Sequence, residues 1–116
     1  MRKPFKKNLN SIPVEEAHGG SGKRQLILSK NDAVSEQFQA MTKGFLDVGS
    51  IFDWHVHENI DEFFLVIKGN GVIEFKSGEQ FEYSPDDLIY IPDGIEHKIE
   101  AAGKDGSEFF FFRMNT

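Results

Sequence analysis

The stretch Gly49-Ser50-Ile51-Phe52-Asp53-Trp54-His55-Val56-His57-Glu58-Asn59-Ile60-Asp61-Glu62-Phe63-Phe64-Leu65-Val66-Ile67-Lys68-Gly69 decides how the chain is read. Side chains two apart on a strand share a face, so His55 and His57 point the same way, with Cα atoms about 6.5–7 Å apart. That spacing lets two imidazoles converge on one ion at bond lengths of about 2.1 Å. Residues 58–61 reverse the chain, and Glu62 opens a strongly β-prone run, Phe63 to Ile67. A hairpin here would set Glu62 across from the histidine strand as a third ligand. Two histidines in alternate positions are weak by themselves, because surface strands carry such pairs by chance.

Working outward, Pro92-Asp93-Gly94-Ile95-Glu96-His97 follows Gly69 after 22 intervening residues. Alone, His97 reads as a solvated turn residue. Joined to His55, His57, Glu62 and the glycines at 49, 69 and 94, it becomes part of a constellation that chance does not easily supply. The two clusters together resemble the paired motifs of the cupin superfamily, in which three histidines and a glutamate hold a divalent metal inside a small β-barrel. The resemblance covers residues 49 to 97. It departs from the family pattern at Asp86, where the second motif usually opens with glycine, and at Ala101, where it usually closes with asparagine. Neither position is a ligand.

The resemblance implies an all-β fold, a single jelly-roll or double-stranded β-helix barrel, with His55, His57, Glu62 and His97 on one metal. Three imidazoles and a carboxylate suit one divalent transition metal, Fe, Mn, Ni, Co or Zn. The chain contains no cysteine, which removes thiolate-based copper(I) and iron–sulfur sites. Four protein ligands can close a tetrahedral zinc site or leave open positions on an octahedral ion. The family favours the open arrangement; the spacing alone leaves both standing.

With 116 residues, 39% hydrophobic and 28% charged, the chain suits one soluble domain with a single core. Twelve phenylalanines against one tryptophan and two tyrosines suit a β core. No stretch approaches the roughly 18 apolar residues of a membrane span. The first seven residues are basic without a following apolar segment, so no signal peptide is expected, and the expected location is cytoplasmic. Arg2, Lys3, Lys6 and Lys7 are four of the thirteen basic residues, which leaves nine against nineteen acids in the rest, a charge of −10. An acidic body argues against nucleic acid as a partner. The basic tip reads as a solvated terminus rather than a binding arm.

Residues 1–24 read as a lead-in, with a possible edge strand in Leu9–Ala17 and a glycine-rich loop, His18 to Gly22. The loop fails the phosphate-cradle pattern, since Ala17 and Arg24 stand where a glycine and a hydroxyl residue belong. A connector is the plainer reading; a flap bringing Lys23 or Arg24 to an anionic substrate is the sharper one. Residues 25–116 read as the barrel domain. Its strands are expected over Gln25–Ser29, Phe38–Leu46, Ser50–His57, Glu62–Lys68, Gly71–Lys76, Gln80–Tyr83, Asp87–Ile91, Glu96–Glu100 and Glu108–Met114, with Gly, Pro, Asn and Asp turns between. One helical turn is expected within Asn31–Gln37.

Parity sorts the faces. With His55 and His57 inward, Ile51 and Asp53 are inward and Phe52 and Trp54 outward. With Glu62 inward, Phe64 and Val66 line the cavity, and Ile95 and Ile99 flank His97. This gives an expected substrate pocket of Ile51, Phe64, Val66 and Ile99, all of which also read as plain core. Asp53 reads as a catalytic base or an outer partner of an imidazole, or equally as a rim acid. Tyr83 and Tyr90 are further candidates for substrate contacts. Phe109 to Phe112 are apolar on both faces of a strand, which needs cover on both sides; with outward Phe52, Trp54, Phe63 and Leu65 this points to a homodimer.

For function, the family resemblance puts a metal-dependent oxygenase on a small organic molecule first. A metal-dependent isomerase or lyase on a sugar acid or keto acid comes second. A non-catalytic module that binds a small molecule or metal is the third reading. One fold hosts all three.

Overall fold

From Phe38 to Leu46 burial alternates: Ala40, Thr42, Gly44 and Leu46 are buried, and Met41, Lys43 and Phe45 between them are only partly so. That period of two is the signature of a strand with one face on a core. The same alternation organises the rest of the chain. The computed structural model describes residues 3–17, 21–32 and 34–116. Its strands are β1 (Glu15–Glu16), β2 (Lys23–Ser29), β3 (Phe38–Leu46), β4 (Ile51–His55), β5 (Ile60–Lys68), β6 (Asn70–Phe75), β7 (Gln80–Tyr83), β8 (Leu88–Ile91), β9 (His97–Ala102) and β10 (Ser107–Asn115).

The strands form two antiparallel sheets, one ordered β1-β2-β3-β10-β5-β8 and the other β4-β9-β6-β7. The all-β jelly roll expected from the sequence is therefore present as a two-sheet sandwich, and the closed barrel is not. The core lies between the inner faces, where Phe64, Val66, Ile73 and Phe109 are fully buried and Ile99 nearly so. Phe64 meets Phe109 edge-on at 5.4 Å between ring centroids, a favoured aromatic arrangement.

Three local expectations change. β4 and β5 do not pair as a hairpin: β4 pairs with β9 and β5 with β10 and β8. Residues 56–59 instead carry the chain from one sheet to the other, with Asn59 in the left-handed region at φ 60°. Second, β4 carries an irregularity against β9. Phe52 pairs with Ile99 and His55 with His97, so three residues of β4 span two of β9. The extra residue inverts the parity: Phe52 is 3% exposed in the core, and Asp53 is exposed. Third, the helical turn shrinks to a 3-10 turn over Lys30–Asp32.

The lead-in is continuous with the larger sheet, since β1 pairs with β2 and β2 already begins at Lys23. A 3-10 turn, Leu9–Ser11, is tied down by the Gln25 amide, which donates to the carbonyls of Leu9 and Ile12. Lys7 is tethered too, 2.7 Å from Asp32 and donating to Ile27 O. His18, Gly19 and Gly20 of the glycine-rich loop lie outside the described residues, as do Met1, Arg2 and Ala33.

Candidate metal centre

His55 closes β4 beside His97, which opens β9, and their rings stand 4.2 Å apart between centroids. His57 follows two residues later in the crossover, held where its carbonyl accepts from Gly94 N–H. Glu62 comes from β5 in the opposite sheet and faces the histidines across the sandwich. Its Oε2 lies 3.6 Å from His57 Nε2 and its Oε1 3.6 Å from His97 Nε2. One donor atom from each of the four residues falls within 4.8 Å of the others. The four sequence-assigned ligands are thus brought together.

The hydrogen bonds select which nitrogen each ring presents. His55 Nδ1 is 2.6 Å from Asp53 O, and His97 Nδ1 is 2.9 Å from Ile95 O. A carbonyl only accepts, so both Nδ1 atoms carry the proton and both Nε2 atoms offer lone pairs. His57 Nε2 and His97 Nε2 are buried and have no hydrogen-bond partner among the described residues. Buried polar atoms are seldom left so. With bonds of about 2.1 Å, opposite ligands on one ion stand about 4.2 Å apart, so a 4.8 Å spread closes on an ion with little movement. The donor set and the orphaned nitrogens fit a divalent transition metal.

Electrostatics agree. Burial lowers the His57 imidazole from 6.5 to about 4, with Arg113 and the neighbouring rings adding to the effect and Glu62 opposing it. Burial and His97 lower His55 as well. Neutral imidazoles are the ligand form. Burial alone would raise the Glu62 carboxyl, but His97, Arg113 and His57 outweigh it and bring it to about 2. Arg113, always charged, is the lasting cause among them.

Sequence reading missed Arg113. It sits on β10 opposite Glu62 in register and donates Nε–H to Glu62 Oε2 at 2.8 Å. Its signal was parity: Phe109, Phe111 and Arg113 share a face, and a lone arginine on a core-facing phase asks for a buried partner.

A small cavity of about 20 Å3 lies beside the cluster and is partly open to solvent. Phe52, Phe111 and Ile99 make its apolar wall, and Arg24, Thr42 and Arg113 add polar groups. Of the pocket residues expected from parity, Ile99 lines this cavity. Phe64 and Val66 lie in the fully buried core, and Ile51 is half-buried and away from the cavity wall. The inward placement of Asp53 is corrected: the irregularity in β4 turns it to solvent, where its Oδ1 accepts from Trp54 N–H. Neither tyrosine lines the cavity. Tyr83 is buried with its hydroxyl 2.8 Å from Ser107 Oγ, and Tyr90 is 53% exposed.

A two-sheet jelly roll with a three-histidine, one-glutamate cluster between its sheets, able to hold a metal ion, defines a class of small β proteins. The cupin domain model matches residues 45–112, more than half of the chain, and the chain belongs to that family. It is 38% identical over 50 residues to the uncharacterised protein YdbB of Bacillus subtilis (strain 168), 43% of this chain and 44% of that one. It is 34% identical over 65 residues to the uncharacterised protein MJ1618 of Methanocaldococcus jannaschii, 56% of this chain and 51% of that one. The matched region thus spans about half the length of these curated relatives. Among solved structures, a predicted oxalate decarboxylase from Thermotoga maritima superposes with a TM-score of 0.83 at 22% identity, covering 97% of this chain and all of that one. This last likeness speaks to the fold alone.

Proposed function

We propose that the chain is a metal-dependent enzyme acting on a small organic molecule, with oxygenase-type chemistry favoured. The observation that carries this is the pair of buried, partnerless Nε2 atoms of His57 and His97, each 3.6 Å from an oxygen of ionised Glu62. A divalent ion satisfies both nitrogens and the carboxylate together, whereas leaving them unpaired costs stability. His55, His57, His97 and Glu62 would hold the ion. When bound, it would supply Lewis acidity and, as Fe(II), redox chemistry with dioxygen. Arg113 keeps Glu62 ionised and oriented, and Phe52, Phe111 and Ile99 keep the adjoining cavity poor in water.

The preference for oxygenase over isomerase or lyase rests on the cavity wall. Proton transfer needs a base within hydrogen-bond reach of the substrate. Asp53 is turned to solvent, and among the described lining residues the one carboxylate is Glu62, which belongs to the ligand set. Arg24 and Arg113 do not accept protons. A reaction carried by the metal, without a protein base, suits this wall better.

Elemental analysis of untagged protein purified without chelators, beside His97→Ala, is the direct test. One equivalent of iron, manganese, nickel, cobalt or zinc in the unaltered protein only is expected. Oxygen uptake by the Fe(II) form with small organic acids, diketones or phenols should follow. Metal-dependent turnover without oxygen would favour the isomerase or lyase instead, and tight ligand binding without product the binding module. No metal after reloading would overturn the reading.

Assembly and location belong to the same proposal. Among the described residues, no helix is long and apolar enough to cross a membrane. The acidic, cysteine-free body suits a cytoplasmic protein that binds a small molecule rather than nucleic acid. A homodimer is supported by the outer face of the larger sheet, where Phe63 stacks on Phe112 at 6.1 Å and Leu88 and Tyr90 are 66% and 53% exposed. Phe52, expected to contribute there, faces the core instead. A monodisperse monomer at micromolar concentration in sizing and scattering would sink the dimer.

A further inference from the structure

The irregularity in β4 frees one peptide unit from the sheet, and that unit touches the histidine cluster. Phe52 pairs with Ile99 and His55 with His97, which leaves the peptide joining Asp53 to Trp54 outside the register of β9. Its N–H and its carbonyl need partners elsewhere, because backbone polar groups are seldom left unpaired. The N–H, that of Trp54, donates to Asp53 Oδ1 at 2.8 Å. The carbonyl, that of Asp53, accepts from His55 Nδ1–H at 2.6 Å. One peptide thus carries the Asp53 carboxylate at one end and the His55 imidazole at the other.

The same stretch is braced from the other sheet. β4 is an edge strand, and Ser21, two residues before β2, reaches across to it. The Ser21 hydroxyl donates to Ile51 O at 2.7 Å and accepts from Asp53 N–H at 2.8 Å. Gly22 follows at φ 77°, and a Cβ there would meet Phe52 Cε1 at 2.2 Å, so the chain lies close against β4. Asp53 is therefore held at its own N–H by Ser21 and at the next peptide by its carboxylate. A hydrogen bond at the N–H end of a peptide polarises its carbonyl, so the two bonds strengthen each other. The carbonyl in turn keeps the His55 proton on Nδ1 and leaves Nε2 as the ligating atom. His97 leans on Ile95 O instead, outside this path.

We infer that Asp53 is a positioning residue for His55. Its carboxylate acts through the Asp53–Trp54 peptide to fix the tautomer and aim of the ring, and Ser21 anchors that peptide from the larger sheet. The consequence for metal binding rests on the metal reading of the cluster; the hydrogen-bonded path stands without it. The solvent-facing Asp53 thereby takes part in the site without touching a substrate.

The test is imidazole nitrogen NMR of the metal-free protein at neutral pH, with Co(II) affinity measured beside it from visible absorption. In the unaltered protein His55 should be the Nδ1–H tautomer. Asp53→Ala should let the Nε2–H tautomer appear at His55 and leave His97 unchanged. Co(II) affinity should fall about tenfold, the lower end of what an outer partner of a metal-bound histidine contributes. Asp53→Asn keeps an acceptor oxygen and should restore most of both. Ser21→Ala should shift His55 in the same direction, and Ser21→Thr, which keeps the hydroxyl, should not. An unchanged His55 tautomer or Co(II) affinity in Asp53→Ala overturns the inference. So does an equal change at His97, the mark of a general loss of structure, or an Asp53→Asn variant no better than the alanine one. Failure of the metal reading shows separately, as no Co(II) bound by the unaltered protein. In that event the His55 tautomer in Asp53→Ala alone decides the role of Asp53.

Discussion

Arg113 and Glu62 face each other in register on β10 and β5, 51 residues apart in sequence, with the guanidinium Nε 2.8 Å from the carboxylate. Both side chains are mostly buried, at 14% and 3% exposure. The pair fixes which carboxylate oxygen is engaged by protein and keeps the carboxylate charged beside the histidine nitrogens.

Removing one partner of a buried pair leaves the other charge uncompensated. Arg113→Met should therefore destabilise the metal-free protein by about 3–5 kcal/mol, read by chemical denaturation. Metal affinity should fall as well, because Glu62 would then be raised by its burial. Adding Glu62→Gln to Arg113→Met should recover much of the stability but none of the metal binding. A single Arg113→Met variant as stable as the parent would contradict the role given to the pair.

The ligand set predicts separable effects on metal and fold. His55→Ala and His57→Ala should lose the metal and retain the sandwich, since both stand at the end of β4 or just past it. His97→Ala removes a side chain that is 1% exposed, so about 1–3 kcal/mol of stability should go with the metal. Elemental analysis alongside circular dichroism distinguishes these outcomes.

Acid should weaken the metal-free fold in a defined window. His57 is held at about 4 in the folded chain against 6.5 ordinarily, and His55 is lowered too. Between those values the unfolded chain binds protons that the folded chain refuses, so stability present above pH 6.5 is lost as pH falls towards 4. For His57 this is on the order of 2–3 kcal/mol across the window. Glu62, lowered from 4.5 to about 2, extends the loss in the same direction at lower pH. Melting temperatures from pH 7.5 to 4 should show the decline, and His57→Gln should flatten it. Metal affinity should drop over the same range as protons compete for the nitrogens.

Gly44 is the close-packed point of the cavity wall. A Cβ there would meet Phe111 Cε2 at 2.5 Å and Phe52 Cζ at 3.2 Å. Gly44→Ala should cost about 1–3 kcal/mol by overpacking and narrow the cavity, which a thermal melt and ligand titration would register. An unchanged melt would mean that both rings yield freely.

Much of this was legible in the chain. β3 and β7 have the bounds their alternation and flanking turns indicate. Glu62, Phe64 and Val66 share the face that parity assigns them. The cluster of His55, His57, Glu62 and His97 was legible because spacing within each motif is local. The single residue added to β4 was not. An irregularity exists only in the pairing of two strands, and β9 begins more than forty residues later; the parity rule therefore put Asp53 inward and Phe52 outward, where the structure has the reverse.

The sequence by itself determined that this chain builds β strands with a buried face and carries four side chains able to ligate a metal in cupin spacing, because hydrophobic period and ligand chemistry are properties of neighbouring residues. Only the tertiary structure decided that two sheets face each other rather than close, that Glu62 reaches the histidines across the core, and that Arg113 and Arg24 enter the same cavity. Those relations depend on how distant strands choose their partners and register, and that choice is made by the packing of the whole core.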